Sequence, residues 1–227
     1  QFKHSKDPGD NKAMVNARRS FLEKGFYKPL IDTIKGLYTQ YSENSQNVLD
    51  AGCGEGYYTH QHKLESNVVY GVDIAKTAIK IAAKKHKDCH FSVGTLSRLP
   101  FEDNLFDWIY SIYAPILEEE FTRVLKQQGY LLTVTPAENH LIELKSMIYQ
   151  DAKQHDTSKS PIEHMELVVE QKLSYEMNFG NSEDILNLLS MTPFAFKATD
   201  AAITQIKAMT EFKCQADFLI RLFKNSE

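Results

Sequence analysis

The chain has 227 residues, 42% of them hydrophobic and 25% charged, the makeup of a folded domain rather than of a disordered tail or a fibrous repeat. Three cysteines, Cys53, Cys89 and Cys214, are widely separated and never spaced CxxC, which argues against a disulfide framework and a four-ligand zinc site and for reduced thiols in a cytoplasmic setting. No apolar run approaches the roughly 20 residues that span a bilayer, and a start at Gln1 rather than Met leads us to expect residues upstream.

The formal net charge of −4 is uneven: residues 1–40 carry +4 and the remainder −8. A basic head on an acidic body permits an anionic partner at one end.

In chain order, Pro8-Gly9-Asp10 reads as a turn with Asp10 as a helix N-cap. Met14, Ala17, Phe21 and Leu22 then keep helical spacing up to a stop at Gly25. A second helix over 28–41 puts Leu30, Ile31, Ile34, Leu37, Tyr38 and Tyr41 on one face, and the polar run 42–47 ends this head. From 48 onward, short apolar strands at 48–51, 68–72, 89–93, 108–113 and 130–135 alternate with helices at 57–66, 75–87 and 116–126, with a turn at Gly129. That alternation predicts an α/β fold with a doubly wound, mostly parallel sheet covered on both faces. A helix from 138 to about 153, a mobile polar loop over 154–164 and a helix at 182–191 follow. The period-2 segments 166–179 and 211–223 predict an antiparallel carboxy-terminal edge on the same sheet. The expected division is a helical segment, 1–45, and a main domain, 46–227.

The most informative segment is Val48-Leu-Asp-Ala-Gly-Cys-Gly-Glu-Gly56. Gly52, Gly54 and Gly56 let the chain turn sharply at the end of a strand and approach a ligand with no Cβ in the way. Asp73, at the tip of the next strand, can accept both hydroxyls of a ribose. The nicotinamide fingerprint G-x-G-x-x-G is not met, and Asp50, two residues before the first glycine, repels a pyrophosphate but suits a positively charged amino-acid end. This favours S-adenosylmethionine over a dinucleotide, with S-adenosylhomocysteine as product. Glu55 in the turn and Ile74 after Asp73 complete this part of the candidate site.

The segment Gly94–Asp107 resembles the stretch between the third and fourth strands of class I (Rossmann-like) methyltransferases. That resemblance puts Thr95 and Leu96 beside the adenine and Tyr113, in Tyr113-Ala114-Pro115, at the methyl-donor pocket. Further stretches match one family more narrowly: Asp7–Asp10, Ala17–Phe21, Gly54–His60, Ile112–Pro115, His140–Lys145 and Met191–Ala195. Over almost the whole chain the sequence resembles the bacterial large-subunit ribosomal RNA (guanine-N1)-methyltransferases. The resemblance implies a class I methyltransferase fold, methylation of N1 of a specific guanine, Tyr27 and His140 as further cofactor contacts, and possible homodimers. The family's zinc lies in an amino-terminal module that precedes the point where this sequence begins, so no metal ligand is assigned here.

Guanine N1 holds its proton near neutrality, so transfer to it needs a proton acceptor. His140 and Glu143 lie three apart at an expected helix start, hence on one face, which makes Glu143 the candidate acceptor. Arg18 and Arg19 in the basic head are the candidate RNA contacts. Two other readings stay open from sequence: a methyltransferase for a small molecule such as a quinone precursor, and a non-catalytic RNA-binding protein that retains S-adenosylmethionine.

Overall fold

A computed structural model describes residues 11–42, 46–149, 152–157 and 162–226. The Asp7–Asp10 stretch and the expected Asp10 cap lie outside them. Asn11 caps α1 (Lys12–Glu23), its side chain accepting from the Met14 N–H at 3.0 Å. Gly25, at φ +80°, reverses the chain, and Pro29 in the first turn starts α2 (Lys28–Tyr41).

The sheet then builds strand by strand. Strand β1 (Asn47–Ala51) leads through the glycine turn into α3 (Tyr57–Gln61), and β2 (Val68–Asp73) into α4 (Lys76–Lys85). Strands β3 (His90–Val93) and β4 (Phe106–Ile112) follow, then α5 (Glu118–Val124), β5 (Leu125–Pro136) and α6 (Ile142–Ile148). The last elements are β6 (Met165–Phe179), α7 (Ser182–Ser190), a 3-10 turn (Pro193–Lys197), α8 (Asp200–Lys207) and β7 (Phe212–Asn225). The spatial order is β3-β2-β1-β4-β5-β7-β6. The first five strands pair in parallel, while β7 runs antiparallel between β5 and β6.

Side-chain alternation explains the three layers. Val48, Trp108, Tyr110 and Leu132 point to one face and join Phe21, Leu22, Tyr27, Leu30 and Ile34 of the amino-terminal segment and Ile185 and Leu188 of α7. Leu49, Ala51, Ile109 and Leu131, one residue out of phase, point to the other face and meet Phe121 and Val124 of α5. The two first helices thus share the core of the sheet. Lys24 at the end of α1 also pairs with the buried Asp184 of α7.

Several expected boundaries move. The helix expected over 57–66 stops at Gln61, because Asn67 ties off a turn by accepting from the Leu64 N–H (2.8 Å) and donating to the His62 carbonyl (3.0 Å). The helix expected over 116–126 ends at Val124, where Leu125 already pairs with Phe106. The expected Gly129 turn is therefore an irregularity inside β5, with Gln128 left-handed at φ +63°. The helix expected from 138 to 153 shrinks to Ile142–Ile148, since Ala137 N–H and Leu141 N–H donate to the Asp217 and Gln215 carbonyls of β7 (2.9 Å each). Of the expected loop 154–164, residues 154–157 are tied to the body: Gln154 Nε2 donates to Asn139 (2.9 Å), His155 N–H to the Glu138 carbonyl (3.0 Å) and Thr157 to the Glu138 carboxylate (3.1 Å). Helix α8, capped by Thr199, was not expected at all.

Candidate functional site

In a doubly wound sheet ligands sit beyond the carboxyl ends of the strands, where the strand order reverses. Here that point lies between β1 and β4, and a cavity of about 780 Å³ opens there. The ends of β1, β2, β4 and β5 form its floor, while α1, α3 and the 191–196 segment wall it.

The glycine turn is built to expose backbone. Gly52 and Cys53 both donate to the Val72 carbonyl (2.8 and 3.0 Å), which folds the chain back over β2. Gly52 (φ +84°) lies so close to the β4 tip that a Cβ would stand 2.5 Å from the Ala114 Cβ. At Gly54 (φ +55°) an added Cβ would meet only the Arg18 guanidinium, at 3.7 Å. That glycine therefore leaves open a cradle facing the cavity. Gly56 (φ +81°) does not line it; a Cβ there would press on Phe91 at 2.8 Å, so this glycine serves packing at the start of α3.

Acids surround the turn. Asp73 accepts from the Gly54 N–H (2.9 Å) through one oxygen and from the Ala75 N–H (2.7 Å) through the other, leaving a further lone pair on each. Asp50 is 2% exposed and accepts from the Thr59 hydroxyl at 2.7 Å. Burial pushes its carboxyl up to about 7, and the nearby charges of Asp73 and Glu55 push the same way. Asp50 thus acts from beneath the turn, without lining the cavity, whereas Glu55 lines it. Asp50 and Glu55 are buried and Asp73 is half-buried, so this side of the cavity is acidic.

Across the cavity, Tyr27, Tyr113 and His140 meet. The Asp217 backbone N–H donates to His140 Nδ1 (3.1 Å), so the proton of the neutral ring sits on Nε2. That nitrogen faces the hydroxyls of Tyr113 (3.1 Å) and Tyr27 (3.4 Å). Burial drops the His140 imidazole to about 3, so the ring stays neutral. Tyr113 (φ +58°) and Leu141 (φ +56°) are both left-handed non-glycine residues. Such backbone costs roughly 1–3 kcal/mol and clusters at functional sites.

Of the residues singled out from sequence, Tyr27, Gly52, Gly54, Glu55, Asp73, Ile74, Thr95, Leu96, Tyr113 and His140 line this one cavity. Asp50 and Gly56 support it from behind. Glu143 lies outside: it is exposed, and its carboxylate accepts from the Gln215 N–H of β7 at 2.8 Å. The i,i+3 spacing fails as a guide because α6 begins only after His140, with Leu141 left-handed between them. Of the two arginines expected to meet RNA, Arg18 lines the cavity and Arg19 does not. Sequence reasoning missed His155, Leu22, Tyr58 and Phe196 as cavity residues. The Met191–Ala195 stretch was visible as a motif, but nothing in it signalled a cavity wall. His60, Asp88 and Cys89 bring ligating atoms within 4.8 Å of one another, away from the cavity lining.

Residues 42–181 match the methyltransferase-domain family. The chain is 30% identical to the candidate 23S rRNA (guanine-N1)-methyltransferase YxjB of Bacillus subtilis, over 87% of this chain and 75% of that protein. It is 28% identical to the 23S rRNA (guanine(748)-N1)-methyltransferase of Streptomyces fradiae, over 72% of this chain and 62% of that protein. The fold is that of the YcgJ protein of Bacillus subtilis, whose crystal structure superposes with a TM-score of 0.54 at 19% identity, covering 85% of this chain and 97% of that one.

Proposed function

This chain belongs to the methyltransferase-domain family and, within it, to the family of the 23S rRNA (guanine-N1)-methyltransferases; from that premise we propose that it methylates N1 of a guanine in large-subunit ribosomal RNA. The observation that carries the reading is the cavity in which a glycine turn with Glu55 and Asp73 faces an apolar and aromatic wall. S-adenosylmethionine, when bound, supplies an electrophilic methyl on a sulfonium. The donor set fits it: Asp73 keeps two lone pairs for ribose hydroxyls, Gly54 leaves backbone open, and Asp50 and Glu55 answer the positive amino end and sulfonium. Ile74 and Leu96 offer apolar faces for adenine.

The residues of the chain then have three tasks. Tyr27, Leu22 and Tyr58 close the core side of the cavity and keep water out. The Tyr113–His140 pair, fixed by the Asp217 backbone, orients the middle of the cavity, where the two substrates must meet in line. A guanine inside duplex RNA cannot reach this depth, so it must be flipped out or lie in a loop. Phe196, 73% exposed on the cavity wall, is a stacking surface for it; such a contact is worth roughly 1–3 kcal/mol per base. Arg19 on α1 is the candidate phosphate contact.

The test is transfer of labelled methyl to 23S rRNA transcribed in vitro, with the product nucleoside identified by mass spectrometry. N1-methylguanosine supports the reading. Transfer to small aromatic acceptors without transfer to RNA would replace it with a small-molecule methyltransferase, and cofactor binding without transfer would leave a non-catalytic binder.

A further inference from the structure

We propose that His60, Asp88 and Cys89 form a binding site for one zinc ion, which ties the end of α3 to the turn between α4 and β3. The proposal stands apart from the methyl-transfer reading, because none of the three residues lines the cofactor cavity.

The chain brings the three ligands together from two neighbouring crossovers. His60 lies in the last turn of α3, the helix that starts at the glycine turn. Helix α4 ends at Lys85, and residues 86–89 turn tightly towards β3, the Cys89 N–H donating to the His86 carbonyl at 3.3 Å. That turn sets Asp88 and Cys89 beside His60, with the ligating nitrogen, oxygen and sulfur all within 4.8 Å of one another. No other group of three such atoms gathers among the described residues.

The spacing suits an ion better than it suits direct contact between the side chains. His60 Nδ1 and Asp88 Oδ1 stand 3.5 Å apart, longer than the roughly 2.7–3.2 Å of a good hydrogen bond. Zinc bonds of about 2.1 Å to nitrogen and oxygen, set at the tetrahedral angle, put two such atoms about 3.4 Å apart. A zinc–sulfur bond of about 2.3 Å asks for roughly 3.6 Å from the sulfur to either, so the thiol has at most about 1 Å to close.

The donor set selects the metal. Thiolate, imidazole and carboxylate are the ligands of zinc, whereas magnesium and calcium take oxygen. Thiolate and carboxylate together also match the ion's double charge. Burial, and then the Asp88 carboxylate beside it, push the Cys89 thiol up to about 11, while the Lys63 charge favours the thiolate. The thiol proton therefore leaves as the metal takes its place. His60 and Asp88 are half-exposed, which gives the ion a path in and leaves its fourth position to water. Behind His60 the His86 ring stacks at 4.4 Å and 23°, which fixes the plane of the ligating imidazole. Burial keeps His86 neutral near pH 7, so the stacked ring brings no charge of its own. Thr59, the residue before His60, holds the buried Asp50 at 2.7 Å. An ion on His60 thus steadies the helix that supports the glycine turn.

The test titrates the 227-residue chain, stripped with a chelator and kept reduced, with Co²⁺ as a spectroscopic stand-in. One equivalent should give the visible bands of a four-coordinate ion and a near-ultraviolet thiolate charge-transfer band. One equivalent of Zn²⁺ should erase both. Zinc should also raise the melting temperature, since a ligand that binds only the folded state stabilises it. Cys89→Ser should lose the charge-transfer band. His60→Gln and Asp88→Asn should each weaken zinc by at least about 100-fold, beyond the roughly 10–100-fold lost with a supporting partner. In chelator these two variants of half-exposed residues should melt with wild type, which separates lost binding from lost fold. No saturable uptake, uptake without a thiolate band, or an affinity indifferent to His60→Gln and Cys89→Ser overturns the proposal. None of these readouts involves methyl transfer, so they decide the zinc site whatever the acceptor substrate is.

Discussion

Two aspartates under and beside the glycine turn do opposite things to the free protein. Asp73 holds the turn through the Gly54 and Ala75 N–H groups while keeping lone pairs for a ligand. Asp73→Ala should therefore lower S-adenosylmethionine affinity by about 5- to 150-fold, the cost of unmatched ribose hydroxyls. Asp73→Asn, which keeps one carbonyl acceptor, should lose less, and an unchanged affinity for the alanine variant in a calorimetric titration would remove Asp73 from the site. Asp50 instead burdens the fold. Its carboxyl is raised from 3.8 to about 7 by burial. A raised acid contributes stability that is complete below about pH 4 and is lost as pH rises through 7. Asp50→Asn cannot ionise yet still accepts from Thr59, so it should match wild type in urea unfolding near pH 4. At pH 8 it should be more stable, by on the order of 4 kcal/mol at most. The same variant should bind S-adenosylmethionine more weakly, since it removes a charge that answers the ligand's cation. Stability and binding moving together at pH 8 would contradict this division of roles.

Among the elements, α3 and the glycine turn that starts it separate packing from binding within three residues. Gly56→Ala forces a Cβ against Phe91 at 2.8 Å and Ala82 at 3.1 Å, with a left-handed backbone. It should cost roughly 1–3 kcal/mol of stability. Gly54→Ala meets only Arg18, so its larger effect should fall on cofactor affinity, read by calorimetry beside a melting curve. If Gly54→Ala destabilised more than Gly56→Ala, the cradle would be a packing feature. The glycine turn, Asp50 and Asp73 were legible in the sequence because each is dictated locally: a glycine where φ is positive, an acid where a strand ends. The parallel core was legible for a similar reason, since Val48–Ala51 and Trp108–Ile112 are short apolar runs that only a sheet buried on both faces accommodates. Helix ends were not, because they are set by distant partners. The β7 carbonyls of Asp217 and Gln215 capture residues 137 and 141 and delay α6, and nothing near Glu143 announces this. His155 was hidden likewise: in a polar stretch, its place depends on Glu138 and Asn139, and those on β7.

At the scale of the whole molecule, the buried imidazoles decide how the fold meets acid. Burial drops His62 and His140 to about 3 and His86 to about 4, and it lowers His155 as well. A lowered histidine is neutral in the folded state but takes up a proton near pH 6.5 once unfolded. Its stabilising contribution is therefore complete above about 6.5 and declines as pH falls towards its folded value. Asp50 works the other way over the same range, because the folded state holds its proton and the unfolded state has released it. Near pH 5, His62, His140 and His86 against one carboxyl leave a net uptake of about two protons on unfolding, a slope on the order of 2.7 kcal/mol per pH unit. His155 adds to that uptake. A domain of ordinary stability, roughly 5–15 kcal/mol, should then lose a large part of it between pH 6.5 and 5 while its surface carboxylates are still charged. Urea unfolding at half-unit pH steps tests this. In Asp50→Asn the opposing carboxyl is gone, so the slope near pH 5 should steepen to about three protons. A flat profile in both proteins would mean that the buried imidazoles reach water before the fold opens; a wild-type slope equal to that of Asp50→Asn would mean that Asp50 is ionised in the native state.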